Sequence, residues 1–270
     1  MRKAHFWMVL ATILLSHQVW AQLPDVDTYY IGRDKLATFT SGTYNGLPNP
    51  NFDRLTFLLG HGNHYHSKSS YIYTGPAGSP VVRPWTNGFF LPEPSQGPSF
   101  QLRPGSGVFA GKNRSGLGIG TEEQWDFRLR SVDYLSTFAP GNLENTLFNS
   151  SNGRWNGSVA GSDLWLNLHS ISSGLKIADP LGNVILDMAG QSFNLGDAMS
   201  LDFTPVMFVD ETAPYGDYFA RFTLSDTQAV NPWQDSGQFE FRFSHVPEPA
   251  SGSLLLVALS GVCVRRWRRS

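Results

Sequence analysis

Apolar residues along this chain recur with a period of two. In "DLWLNLHSI" Leu164, Leu166 and Leu168 share one face, and in "QFEFRFS" Phe239, Phe241 and Phe243 do the same. In "DFRLRSVDYL" Phe127 and Leu129 alternate with Arg128 and Arg130. Successive side chains of an extended strand point to opposite faces, so this alternation predicts half-buried antiparallel strands. "PYGDYFARFTLSD" and "DSGQFEFRFS" read as the last two strands, joined by a connection containing Trp233. Between strands stand "SGTYNGLPNPN", "GKNRSGLGIG" and "NSSNGRWNGS", rich in residues that tolerate tight bends or positive φ. Apart from the two ends, no segment shows a helical period of useful length. The pattern predicts an all-β fold, an antiparallel β-sandwich of jelly-roll-like type. The loop-rich segment 75–120 reads as a long surface excursion or as the boundary between two β units.

The two ends read as addresses rather than as parts of the fold. Arg2 and Lys3, the apolar "FWMVLATILL", and the small or apolar Val19 and Ala21 describe a secretory signal peptide, 1–21. The run is shorter than the ~20 residues of a lasting membrane span. At the other end "VPEPA", with Pro247, Glu248 and Pro249, leads into "SGSLLLVALSGVCV" and then Arg265, Arg266, Arg268 and Arg269. By the positive-inside rule these arginines stay cytoplasmic. A proline motif, an apolar helix and a basic stop, in that order, resemble the PEP-CTERM sorting tail of Gram-negative, exopolysaccharide-producing bacteria. The resemblance covers 246–270 and implies processing by an exosortase, a membrane transpeptidase, after transient anchoring by the tail helix. It also implies export to the cell surface or extracellular matrix. The internal "LPEP" at Leu91–Pro94 has no apolar run or basic stop behind it and reads as an ordinary loop.

Between these signals, 22–245 is long enough for one large all-β domain or two small ones. Setting aside the six basic residues of the two ends, and Glu248 of the tail, leaves 14 basic against 21 acidic residues, a net charge of −7. Such a balance argues against nucleic acid or anionic lipid as the main partner and is compatible with cations. The one cysteine, Cys263, lies in the tail, so the exported part has neither a disulfide nor a thiolate metal site.

Of the seven histidines, His5 and His17 lie in the leader, and three of the other five fall within "HGNHYH". The segment "DRLTFLLGHGNHYHSKSSYIY" reads as a β-hairpin with His61 at its tip and His64 and His66 two apart on the return strand, on one face. Neutral imidazole suits Zn²⁺, and also Cu²⁺ and Ni²⁺, so three histidines and one further ligand would satisfy zinc. His169 is a candidate for the fourth place; His245, Asp53 and a water are others. "GLPNPNF", the "HYH" segment and "YIYTGP" together are similar to a histidine-containing PEP-CTERM family placed under the zinc-uptake repressor. On that resemblance Gly46–Phe52, His64, His66 and Tyr71–Pro76 are the matching positions, and they imply a surface protein that captures or buffers zinc.

Other chemistry is sparse. No "HExxH" helix, "GxSxG" elbow, phosphate-binding loop or calcium loop occurs, which favours binding over hydrolysis. Glu122, Glu123 and Asp126 read as surface acids rather than a glycosidase pair. Trp85, Trp125, Trp155 and Trp233 could stack on sugars or fill cores. The leading expectation is an exported, non-enzymatic protein binding zinc through His61, His64 and His66. The alternatives are a structural or adhesive matrix protein that contacts exopolysaccharide, with incidental histidines, and a metal-dependent hydrolase.

Overall fold

The structure is a computed structural model that describes residues 29–94, 97, 99–116, 127–228 and 230–247. Residues 1–21, read above as a signal peptide, lie outside the described residues, as do Glu248, Pro249, Arg265, Arg266, Arg268 and Arg269, and Glu122, Glu123, Trp125, Asp126 and Cys263. Pro247 is described and exposed. Among the described residues no helix is long and apolar enough to cross a membrane.

The chain opens with β1 (Tyr29–Arg33), the hairpin β2 (Leu55–His61) and β3 (His64–Ser67), and the ribbon β4 (Tyr71–Thr74) and β5 (Val81–Pro84). Short strands follow: β6 (Phe90–Leu91), β7 (Phe100–Gln101), β8 (Arg103–Pro104), β9 (Lys112–Arg114) and β10 (Leu129–Ser131). Helices α1 (Val132–Leu135) and α2 (Leu143–Phe148) precede β11 (Asp163–Ile171), β12 (Lys176–Ala178) and β13 (Val184–Leu186). Then come β14 (Ser192–Asp197), β15 (Asp202–Phe203), β16 (Val206–Asp210), β17 (Gly216–Asp226) and β18 (Phe239–His245). The fold is all-β with a few short helices.

Among the described residues these strands form three sheets of five or six strands and the two-stranded ribbon β4-β5. The first runs β15-β10-β1-β2-β3, and the third β13-β12-β16-β9-β8. The second runs β14-β11-β17-β18-β6, with β7 also on β18. Leu164, Leu166 and Leu168 of β11 and Phe239, Phe241 and Phe243 of β18 are buried, as their alternation predicts. β17 and β18 pair antiparallel, with Ala220 opposite Phe241. "DFRLRSVDYL" departs from its pattern. Only Leu129–Ser131 is strand, and Val132 turns the chain into α1, because Val132 and Leu135, three apart, both bury against Tyr30 and Trp155.

One aromatic-rich core draws on all three sheets. Phe57 stacks on Phe239 at 4.1 Å between ring centroids, and Tyr29 packs against Phe57, Phe127 and Phe241. Segment 75–120 feeds this core as well as the surface. β6 and β7 pair parallel with β18, as β10 does with β1, so two of the sheets are mixed rather than antiparallel throughout as the alternation alone predicts; these strands come from distant segments, not hairpins. β9 pairs with β16, and Leu91, Phe100, Leu102 and Phe109 are buried. On the opposite face of the first sheet Tyr30, Leu58 and Tyr65 pack against α1 and α2.

The "GLPNPNF" lead is a clamp. Asn49 donates to the buried carboxylate of Asp34, which also takes the Arg154 guanidinium. Asn51 pairs with the backbone of Tyr71 like a neighbouring strand, accepting from its N–H at 2.6 Å and donating to its carbonyl at 2.8 Å. Tyr73 donates its hydroxyl to the Pro48 carbonyl. A two-stranded ribbon is marginal alone. These bonds fix β4 and β5 beside the histidine hairpin.

Candidate metal centre

In the β2–β3 hairpin His61 lies directly opposite His64, and Leu59 opposite His66. Side chains opposite each other in an antiparallel pair share a face. The face that buries Phe57 and Leu59 in the core therefore continues outward as His61, His64 and His66. Tyr65 points the other way, into the cluster with Tyr30, and holds the return strand down. The turn has two residues, Gly62 and Asn63, with Gly62 at φ +61°. A type II′ turn places glycine first for this reason, because an L side chain is strained there.

The three rings lie together, with centroids 5.3 Å apart for His61 and His64, 5.2 Å for His61 and His66, and 4.9 Å for His64 and His66. His61 and His64 are exposed and His66 is half-buried. Behind His66 sits Glu93, whose Oε1 accepts from His66 Nδ1 at 2.6 Å and also from the buried Lys68 ammonium. Burial alone would raise the Glu93 carboxyl. The hydrogen bonds from Lys68 and His66 outweigh it and hold the group below the ordinary carboxylate range. Burial in turn depresses Lys68, with Glu93 opposing.

Glu93 dictates the His66 tautomer. Ionised Glu93 only accepts, so His66 carries its proton on Nδ1 and presents a bare Nε2. The His64 and His66 Nε2 atoms stand 2.9 Å apart, so His64 with its proton on Nε2 donates to His66. With its proton instead on Nδ1, toward Asn63 Oδ1 at 3.2 Å, His64 also offers a bare Nε2, and the two together suit a shared cation. A proton is disfavoured at His64, whose pKa is pushed below its ordinary value by burial first, then by His66 and His61, with Glu93 opposing.

The donor set fits a borderline metal. At a zinc–nitrogen distance of about 2.0–2.1 Å, tetrahedral geometry puts two nitrogens about 3.3 Å apart. The 2.9 Å gap is within a few tenths of an ångström of that, and exposed rings on a turn can open by side-chain rotation. Ligand atoms of His61, His66 and Glu93 also lie within 4.8 Å of one another, so Glu93 is either a ligand or the carboxylate that orients His66. Carboxylate–histidine–metal arrangements of the second kind fix the ring and raise its basicity.

The other candidates for the fourth place sit elsewhere. His169 is exposed on β11 and bonds Thr223 Oγ1 at 2.8 Å, in a different sheet from the hairpin. His245 is buried, with Asn113 at 3.1 Å from its Nε2. Asp53 is ion-paired with Arg33. The group found in their place, Glu93, belongs to the "LPEP" that reads as a loop in the sequence. Its one sequence signal is a lone carboxylate after the apolar "FFL", and no spacing links it to His66. No protein-family model, curated protein or solved structure matches this chain.

Proposed function

We propose that this chain is an exported, non-enzymatic protein that binds zinc through His61, His64 and His66, with Glu93 orienting His66. The observation behind this reading is the gathering of three imidazoles at one turn, with ring centroids 4.9–5.3 Å apart and the Nδ1 of His66 held by Glu93 so that its Nε2 faces the other two rings. Zinc bound there would act as a fixed Lewis-acidic cation, and this chain's part is to offer neutral imidazoles at one turn. Copper and nickel suit the same donors, and the Irving–Williams order makes copper the tighter ion in vitro. Binding is favoured over hydrolysis because Glu93, the carboxylate at the cluster, is engaged by Lys68 and His66 and is not free to act as a general base.

The three sheets around one aromatic core support a jelly-roll-like β-sandwich as the finer description of the fold. The leader and the PEP-CTERM-like tail support export, exosortase processing and a place at the cell surface or in the matrix. A histidine turn exposed outside the cell suits capture or buffering of zinc.

The test is a calorimetric titration of the full-length protein with Zn²⁺, beside a variant carrying His61→Ala, His64→Ala and His66→Ala. One-site binding that disappears in the variant supports the reading. Equal heats from both proteins overturn it.

A further inference from the structure

Two cavities adjoin on the side of the hairpin that faces β4 and β5. One, of about 600 Å³, is walled by His66, Lys68 and Glu93 on one side and by Trp85, Asn87 and Phe90 on the other. The second, of about 420 Å³, is lined by Phe39, Tyr44, Tyr71 and Tyr73 together with Arg154. Ser67, Trp85 and Trp155 belong to both, so the two form one cleft with Trp85 as the ridge between its halves. Each volume lies in the range of about 300–1,000 Å³ typical of small-molecule sites.

Trp85 is seated, not merely present. It is half-buried, and a Cβ built on Gly88 would lie 2.5–2.6 Å from three atoms of its six-membered ring. The absence of a side chain at residue 88 lets the indole lie against the backbone and leaves the rest of the ring to the cleft. Trp155 is almost fully buried beneath the Arg154 guanidinium, 4.4 Å from the ring centroid, and serves as a floor.

The charges of the cleft are already matched. Lys68 is paired with Glu93, and Arg154 with Asp34. A charged ligand would find no unbalanced partner from these groups. The lining instead offers ring faces beside the Asn87 amide and the Tyr71 hydroxyl, the Ser67 hydroxyl being bonded to that of Ser70. A pyranose has that same mixture, an apolar C–H face and a rim of hydroxyls.

We propose that this cleft binds a neutral oligosaccharide, stacked on Trp85 and extending from the Glu93 side toward Tyr71 and Tyr73. The proposal does not rest on metal binding: the cleft shares His66 and Glu93 with the histidine cluster, but stacking on Trp85 needs no ion.

The experiment is calorimetry of the full-length protein with three probes: maltopentaose, cellopentaose and mannopentaose. At least one is expected to bind. Trp85→Ala should weaken it about tenfold or more, the scale of a lost aromatic contact. Gly88→Ala, which keeps the indole but forces it off its seat, should weaken binding likewise. Excess EDTA should leave it unchanged, which separates the sugar site from the proposed zinc site. Circular dichroism establishes that each variant is folded. No heat from any probe at millimolar concentration, or equal affinity in Trp85→Ala, overturns the proposal.

Discussion

Glutamine at position 93 preserves the shape of the glutamate and removes its charge, with two separable consequences. The first is on stability. The Lys68 and Glu93 side chains are 4% and 13% exposed, so the variant strands the lysine charge in a dry place. Removing one partner of a buried pair costs about 3–5 kcal/mol. The glutamine carbonyl still accepts a bond from Lys68, which argues for the lower end, about 3 kcal/mol, or a fall in Tm of roughly 6–12 °C for a chain of this size. The second consequence is on metal. Loss of a carboxylate that orients a metal-binding imidazole weakens affinity about 10–100-fold. Lys68→Met added to Glu93→Gln removes the stranded charge, so melting should return most of the way while zinc affinity stays low. Thermal melting followed by circular dichroism and zinc calorimetry read the two arms. Full recovery of affinity in the double variant would refute the orienting role and reduce Glu93 to a partner of Lys68. An unchanged Tm in the single variant would refute the burial argument.

Zinc affinity should fall as pH drops through about 6.5, because imidazole must be neutral to ligate; a flat calorimetric profile between neutral and mildly acid pH would argue for carboxylate ligands instead. Asp202 is held at about 2, first by Arg128, with burial opposing and Arg130 assisting, so its stabilising contribution is present above the ordinary value and lost as pH falls toward 2. Arg128→Ala should move the Asp202 midpoint back up in a carboxyl NMR titration, and an unmoved midpoint counts against the bidentate pair. Phe57→Ala should destabilise by about 3–5 kcal/mol in denaturant unfolding, because it removes the ring stacked on Phe239 from the centre of the core. Gly32→Ala should cost about 1–3 kcal/mol, since its Cβ would lie 2.8 Å from both the Trp155 carbonyl oxygen and Val132 Cγ1; a loss below 0.5 kcal/mol on this order-of-magnitude scale would show that β1 can shift away from them.

Much of the sheet structure was legible in the sequence. Leu164, Leu166 and Leu168, like Phe239, Phe241 and Phe243, sit where a period of two puts them, because a strand half-buried along one face writes that face directly into alternate positions. The histidine hairpin was legible in outline, with two corrections: His61 is not the tip but the last residue of β2, paired with His64 across the turn of Gly62 and Asn63, and the return strand ends at Ser67, Tyr71–Thr74 pairing instead with Val81–Pro84. Local rules were insufficient where packing on a second face intervened. The alternation of Phe127 and Leu129 breaks phase at Ser131 and Val132, and Val132 and Leu135, three apart, form one turn of helix whose apolar side packs with Leu147 of α2 and Trp155.

The sequence by itself thus determined the long strands β11, β17 and β18, the inward faces of β11 and β18, and the cluster of imidazoles at one turn, all consequences of short-range backbone geometry. Only the tertiary structure decided what stands behind that cluster. Glu93 is 27 residues from His66 and reaches it because β6 pairs with β18, a contact between segments about 150 residues apart in the chain. Trp85 joins the cleft in the same way, since the ribbon that ends just before it is tied to Asn51 rather than to its neighbours in sequence. Long-range pairing of this kind leaves no periodic trace, because it depends on which sheet edge is open once the others have formed.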